Sequence, residues 1–162
     1  MATVTTLAGG KVDGFTAGRM PYFKEVLIDF AAAATAKGSA LASADVIEAI
    51  SVPANTLILN AGLEVVTVAG GESNDTTVDL GVTTTEPDIF IDGFDLDAAA
   101  AGAYAQNAAA FQPLVIGTAD TIDLLIATAT TAPTSGVVRF FAILMDIDAR
   151  KTAAEVDRDT LA

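Results

Sequence analysis

The sequence predicts an all-β chain, an antiparallel jelly-roll-like β-sandwich with an extended N-terminal arm. Three observations predict it. Short apolar runs rich in Val, Ile, Thr and Phe recur from residue 45 onward; Gly, Pro and Asn separate them; and a helical period fits only one segment of any length. With 162 residues the chain has enough material for one domain with a sizeable core. The expected organisation is an arm over residues 1–22, a sandwich over 23–148 and a tail over 149–162.

Residues 1–20 are rich in Gly, Thr and Ala without periodicity, and Gly9, Gly10, Gly14 and Gly18 favour a flexible, poorly ordered arm. Residues 21–36 carry two signals. Phe23, Val26, Leu27, Phe30 and Ala34 fit a helical stripe with Pro21 in its first turn and Gly38 past its end, whereas Tyr22, Val26, Ile28 and Phe30 alternate as one strand face. The strand is preferred because everything downstream is β. Strands are then expected over 46–52, 56–59, 63–68, 76–82, 114–116, 121–129 and 137–147. Turns are expected at Pro53 to Asn55, at Asn60 to Gly62, around Gly70, Gly71, Asn74 and Asp75, and at Pro133 to Gly136.

Two of these strands alternate strictly. Val78, Leu80 and Val82 oppose Thr77 and Asp79, and Ile122, Leu124 and Ile126 oppose Thr121 and Asp123, the pattern of a sheet with one wet face. The last strand is apolar on both sides, so a second sheet or another subunit is expected to cover each; Phe141, Ile143 and Met145 are the candidate subunit interface. Between residues 88 and 97 the acids Asp88, Asp92, Asp95 and Asp97 suggest a solvated loop, followed by a short helix that Asp97 caps and Gly102 ends. The tail has helix-forming composition but few large apolar residues with which to dock.

Charge divides the chain. It holds 21 acidic and 8 basic side chains, a formal net charge of −13, and every cation lies before residue 38 or after residue 138. Such an acidic body repels phosphates, which argues against nucleic acid as a partner. No segment reads as a membrane span: the longest uncharged run, 98–119, is broken by Gly, Gln, Asn and Pro. The N-terminus lacks the apolar centre of a secretory signal. The charge pattern fits a solvated acidic surface that keeps the chain soluble, or a two-sided molecule whose acidic body faces water while its nearly neutral ends lie against a partner.

Chemistry is sparse. Without Cys or His there is no thiol nucleophile, imidazole proton shuttle or soft metal site, and the serines lack a base unless Lys24 or Lys37 is buried. No catalytic residue, cofactor or metal is therefore expected. The Asp88–Asp97 cluster is ligand-dense, but an EF-hand started at Asp88 places Phe90 third and Ala99 twelfth, where carboxylates are needed. A carboxylate-pair glycosidase lacks its aromatic platforms, since Trp is absent and Tyr22 and Tyr104 are the only tyrosines.

The pieces VIEAISVPANTLILNAGLEVVT (46–67), TVDLGVT (77–83), DIFIDGFDLDAAAAGAYA (88–105) and TADTIDLLIATATTAPTSGVVRFFAILMDI (118–147), in this order, resemble small structural proteins of tailed-phage heads. The resemblance implies a non-enzymatic capsid decoration, or cement, protein. Such a protein is made in the host cytoplasm, is often trimeric, and sits on the virion exterior against the major capsid protein. Lys11, Arg19 and Tyr22 on the nearly neutral arm are the candidate capsid contacts. A head-fibre or tail-associated β-domain shares the same composition and fold, and a carbohydrate- or calcium-binding sandwich is the alternative of a different class.

Overall fold

The computed structural model describes residues 20–71, 76–82, 86–107, 112–131 and 133–147. Its strands are β1 (Tyr22–Asp29), β2 (Val46–Val52), β3 (Thr56–Gly70), β4 (Thr77–Val82), β5 (Glu86–Asp95), β6 (Tyr104–Gln106), β7 (Leu114–Ile116), β8 (Asp120–Thr128) and β9 (Ser135–Asp146), with one helix, α1 (Phe30–Lys37). One sheet runs β1-β9-β3-β6, with β7 also on β3; the other runs β2-β8-β4-β5, and every pairing is antiparallel. Apart from β4 to β5 and β6 to β7, successive strands cross between the sheets while early strands pair with late ones, the winding of a jelly roll.

Period-two alternation builds the core. Along β9, Val138, Phe140, Ala142 and Leu144 are buried while their neighbours are half-exposed. Ile58, Leu63 and Val65 of β3 share that inner side and meet Leu80, Ile122, Leu124 and Ile126 of the opposite sheet within one apolar cluster. Each such side chain contributes about 1.5–3 kcal/mol by leaving water. The open edge between sheets is tied by Lys24, whose Nζ donates to the Ser51 carbonyl oxygen at 2.8 Å, joining β1 to β2.

The segment 21–36, expected as a strand, contains both a strand and a helix. β1 ends at Asp29, whose carboxylate accepts the Ala31 and Ala32 N–H groups at 2.8 and 3.2 Å and so opens α1; Gly38, at φ +80°, closes it. The competing apolar patterns coexist because Phe30 serves both, lying fully buried at the junction. Asn60 to Gly62, expected as a turn, instead lies inside the 15-residue β3. Asn60 sits at a register shift after Ile58, and Gly62 is required by close approach: a Cβ there would stand 2.5 Å from both the Ala105 carbonyl oxygen and Phe141 Cζ.

The loop expected over 88–97 is mostly strand: residues 88–95 lie in the edge strand β5. The expected helix after Asp97 is replaced by a turn in which the Ala103 N–H donates to the Ala100 carbonyl and the Gly102 N–H donates to the Val65 carbonyl. The Asp97 carboxylate is turned to the Thr76 N–H, which its Oδ2 accepts at 2.7 Å, and Asp95 takes the local N–H groups of Asp97 and Ala98. The expected wet face of β4 is also covered. The backbone at Glu86 and Pro87 passes over Gly81 so closely that no Cβ fits, and Asp79 and Asp123 on that side are buried. The arm before residue 20, with Lys11 and Arg19, and the tail after residue 147 lie outside the described residues.

Candidate interaction surface

The two sheets differ in charge. The strands β2, β8, β4 and β5 carry Glu48, Asp120, Asp123, Asp79, Glu86, Asp88, Asp92 and Asp95 and no cation. The strands of the β1-β9-β3-β6 sheet, with β7, carry Lys24 and Arg139 against Glu25, Asp29, Glu64 and Asp146. The acidic middle of the sequence is thus concentrated on one sheet, and the opposite sheet is close to neutral.

The outer side of that second sheet is apolar. Registers place Phe23 beside Ile143, Leu27 beside Arg139, Leu57 beside Met145 and Val115 beside Leu57. Phe23, Leu27 and Val115 remain 58%, 57% and 53% exposed. The Phe23 and Phe141 rings stack with centroids 6.2 Å apart, and Phe141 also lies over Gly62. A β-strand glycine is covered here by an aromatic ring from the neighbouring strand. Phe141, Ile143 and Met145 therefore lie together, half-exposed, on this outer face. Tyr22 stands at the start of β1 on the other side, half-buried against the core.

Three charged side chains cross the face. Arg139 donates through Nη1 to Glu64 Oε2 at 3.0 Å, and its Nε is 3.9 Å from Glu25 Oε2, giving a row of alternating sign across β1, β9 and β3. The row itself keeps a net charge of −1, one guanidinium shared by two carboxylates.

The acidic sheet is organised differently. Asp79 accepts the Gly93 N–H at 2.7 Å, and its carboxyl is raised above the usual aspartate range, chiefly by burial and further by the nearby charges of Asp92 and Asp88, against the lowering effect of that hydrogen bond. Asp88 and Asp92 are exposed on β5, while Asp95 and Asp97 hold backbone N–H groups. Among the described residues no three acidic groups gather as a cation site. An open groove of about 480 Å³ is lined by Glu48, Ser51, Pro53, Asp120 and Thr121. Lys24, beside it, donates to the Ser51 carbonyl and not to its hydroxyl, and Lys37 is held by Asp45 and the Ala40 carbonyl, so neither lysine is placed to activate a serine. No helix among the described residues is long and apolar enough to cross a membrane.

Sequence reasoning found the β9 side of the apolar face but missed its β1 half, Phe23 and Leu27. Their i, i+4 spacing looked helical, and only the partner strand shows that they share an outward face.

No family model matches the chain, and no curated protein matches it. Solved structures do. A chain of the Cyanophage Pam1 capsid asymmetric unit is similar with a TM-score of 0.63 at 14% identity, over 90% of this chain and 97% of that one. A chain of the capsid of Ralstonia phage GP4 is similar with a TM-score of 0.55 at 16% identity, covering 90% of each. A chain from the acidic stable capsid structure of Helicobacter pylori bacteriophage KHP30 gives a TM-score of 0.52 at 15% identity, over 80% of this chain and 89% of that one. At such identities the likeness is one of fold.

Proposed function

We propose that this chain is a non-enzymatic virion protein of a tailed phage, a decoration or cement protein. It binds as a homotrimer to the outside of the icosahedral head and reinforces the junctions between units of the major capsid protein. The observation that carries the reading is the fold shared over nearly the whole length of a phage capsid chain, at 90% of one and 97% of the other. A neighbour matched from end to end is a whole small capsid component of similar size. The division of charge supports the exterior position. An acidic sheet keeps an assembled particle hydrated and dispersed, while the nearly neutral sheet can lie against protein without burying unpaired acid. The arm, with Lys11 and Arg19 against Asp13, is the proposed attachment to the shell, with Tyr22 at its root.

Cosedimentation tests the reading. Purified protein mixed with particles lacking it is expected to pellet with the heads and to saturate. Deleting residues 2–19 is expected to weaken that binding by at least about tenfold while leaving the thermal midpoint of the free protein unchanged. Binding to tails alone, or no binding to heads, would overturn the decoration role in favour of a fibre or tail position. Full binding by the truncated chain would remove the arm from the contact.

A further inference from the structure

We infer that the outer face of the β1-β9-β3-β6 sheet is where copies of this chain meet, and that the row Glu25, Arg139, Glu64 sets how they align. The inference deepens the decoration reading and rests on it for the trimer. Two observations support a second copy as the occupant. First, each copy carries a net charge of −13, and the strands of the acidic sheet hold eight acids without a cation. Like copies repel through that sheet, whereas the ion row on the opposite face carries a net charge of only −1 and includes a cation. Second, a row of negative, positive and negative groups is complementary to itself once displaced by one strand. Arg139 of one copy then meets a carboxylate of the next in a head-to-tail contact, which closes as a ring of three, where two like faces stacked squarely would close as a dimer.

The apolar residues supply the affinity. Phe23, Phe141, Ile143, Met145 and Val115 form one apolar surface, bordered by the ion row with Leu27 level with Arg139. An interface needs such a desolvated centre with compensated polar groups. Loose geometry at Glu25, 3.9 Å from the guanidinium and 56% exposed in its side chain, leaves that carboxylate able to take a donor from across the contact.

Sedimentation velocity on the full chain from about 1 to 100 μM is the test, with Leu27→Glu, Glu25→Arg and, as a control on the acidic sheet, Asp92→Lys. Circular dichroism melts confirm that each variant folds, and Leu27 and Glu25 are exposed enough in the single chain to change without disturbing the core. The native chain is expected to assemble, Leu27→Glu to weaken assembly at least 30-fold, a loss of hot-spot size, and Asp92→Lys to leave it unaltered. A Glu25→Arg, Arg139→Glu double exchange is expected to regain at least part of the assembly lost by Glu25→Arg alone. A native monomer throughout the range, or an oligomer indifferent to Leu27→Glu, overturns the inference. Particle binding separates its failure from that of the decoration reading. A native monomer that binds heads and loses binding through Leu27→Glu would assign this face to the shell. An oligomer that never binds heads would leave the interface standing and remove the decoration role.

Discussion

Phe140 and Phe141 are adjacent on β9 and point to opposite sides of the sheet, so replacing each by Ala measures the two faces separately. Phe140 has no exposed surface and packs inside the sandwich between Val138, Ala142 and the residues of the facing sheet. Its removal leaves a cavity that a two-sheet core cannot close, and Phe→Ala at such sites costs about 3–5 kcal/mol. For a chain of this size that is a fall of roughly 6 to 20 °C in Tm. Phe141 is half-exposed, and truncation loses its stacking on Phe23 and its cover over Gly62. Aromatic pairs contribute about 0.5–1.5 kcal/mol beyond area, so with partial burial Phe141→Ala is expected to cost about 1–2 kcal/mol. Urea unfolding at the lowest practical concentration, repeated at tenfold higher concentration, separates the chain's own stability from that of any assembly. The Phe140→Ala loss is expected to be the same at both concentrations. At the lower concentration, equal losses for the two variants, or a larger loss at Phe141, would refute the assignment of inner and outer faces.

Asp79→Asn keeps an acceptor for the Gly93 N–H and removes a buried charge. The folded chain holds a proton on Asp79 more readily than the unfolded chain, so the native carboxylate weakens the fold as pH rises through its raised value and ceases to do so below the ordinary 3.8. Asp79→Asn is therefore expected to melt at or above the native Tm at pH 7, with the difference vanishing towards pH 4; a clear loss at pH 7 would show that the charge is needed. Asp45 behaves oppositely. Its hydrogen bond to Lys37, then that from the Ala42 N–H, lowers its pKa, so its stabilisation is present above the usual carboxylate range and lost as pH falls through the lowered value, which Asp45→Asn melts across that range will show. Asp29→Ala removes the cap of α1 and is expected to cost about 1 kcal/mol in urea unfolding, while Asp29→Ser recovers most of it. Calcium titration by calorimetry is expected to give no binding tighter than about 10 μM, because Asp95 and Asp97 are engaged with backbone N–H groups; tighter binding would show that β5 and its turn make a site.

The β2 and β7 strands were legible in the sequence because their apolar residues end at turn residues that the fold uses as such; Asn55 adopts φ +58° after β2. β5 was not legible. Asp is depleted in strands, and four acids in ten residues suggested a loop, yet an edge strand tolerates them because one border faces water and charge discourages further pairing. Gly62 was misleading in the same way: it marks a close passage of β6 and Phe141, information that resides in other strands. Likewise the covering of Gly81 by Glu86 and Pro87 depends on a crossing that no local period records. The division of acids between sheets needs the strand order, although the long stretch without cations already hinted at it in the chain.

Cryo-electron microscopy of phage particles incubated to saturation with the purified chain tests the proposed decoration role most directly. Density for the β-sandwich body is expected on the outer surface of the head, in groups of three at three-fold or quasi-three-fold positions, with the β2-β8-β4-β5 sheet towards solvent. Heads bare of this density, with the chain found at the tail, in a fibre or within the continuous shell, would contradict it.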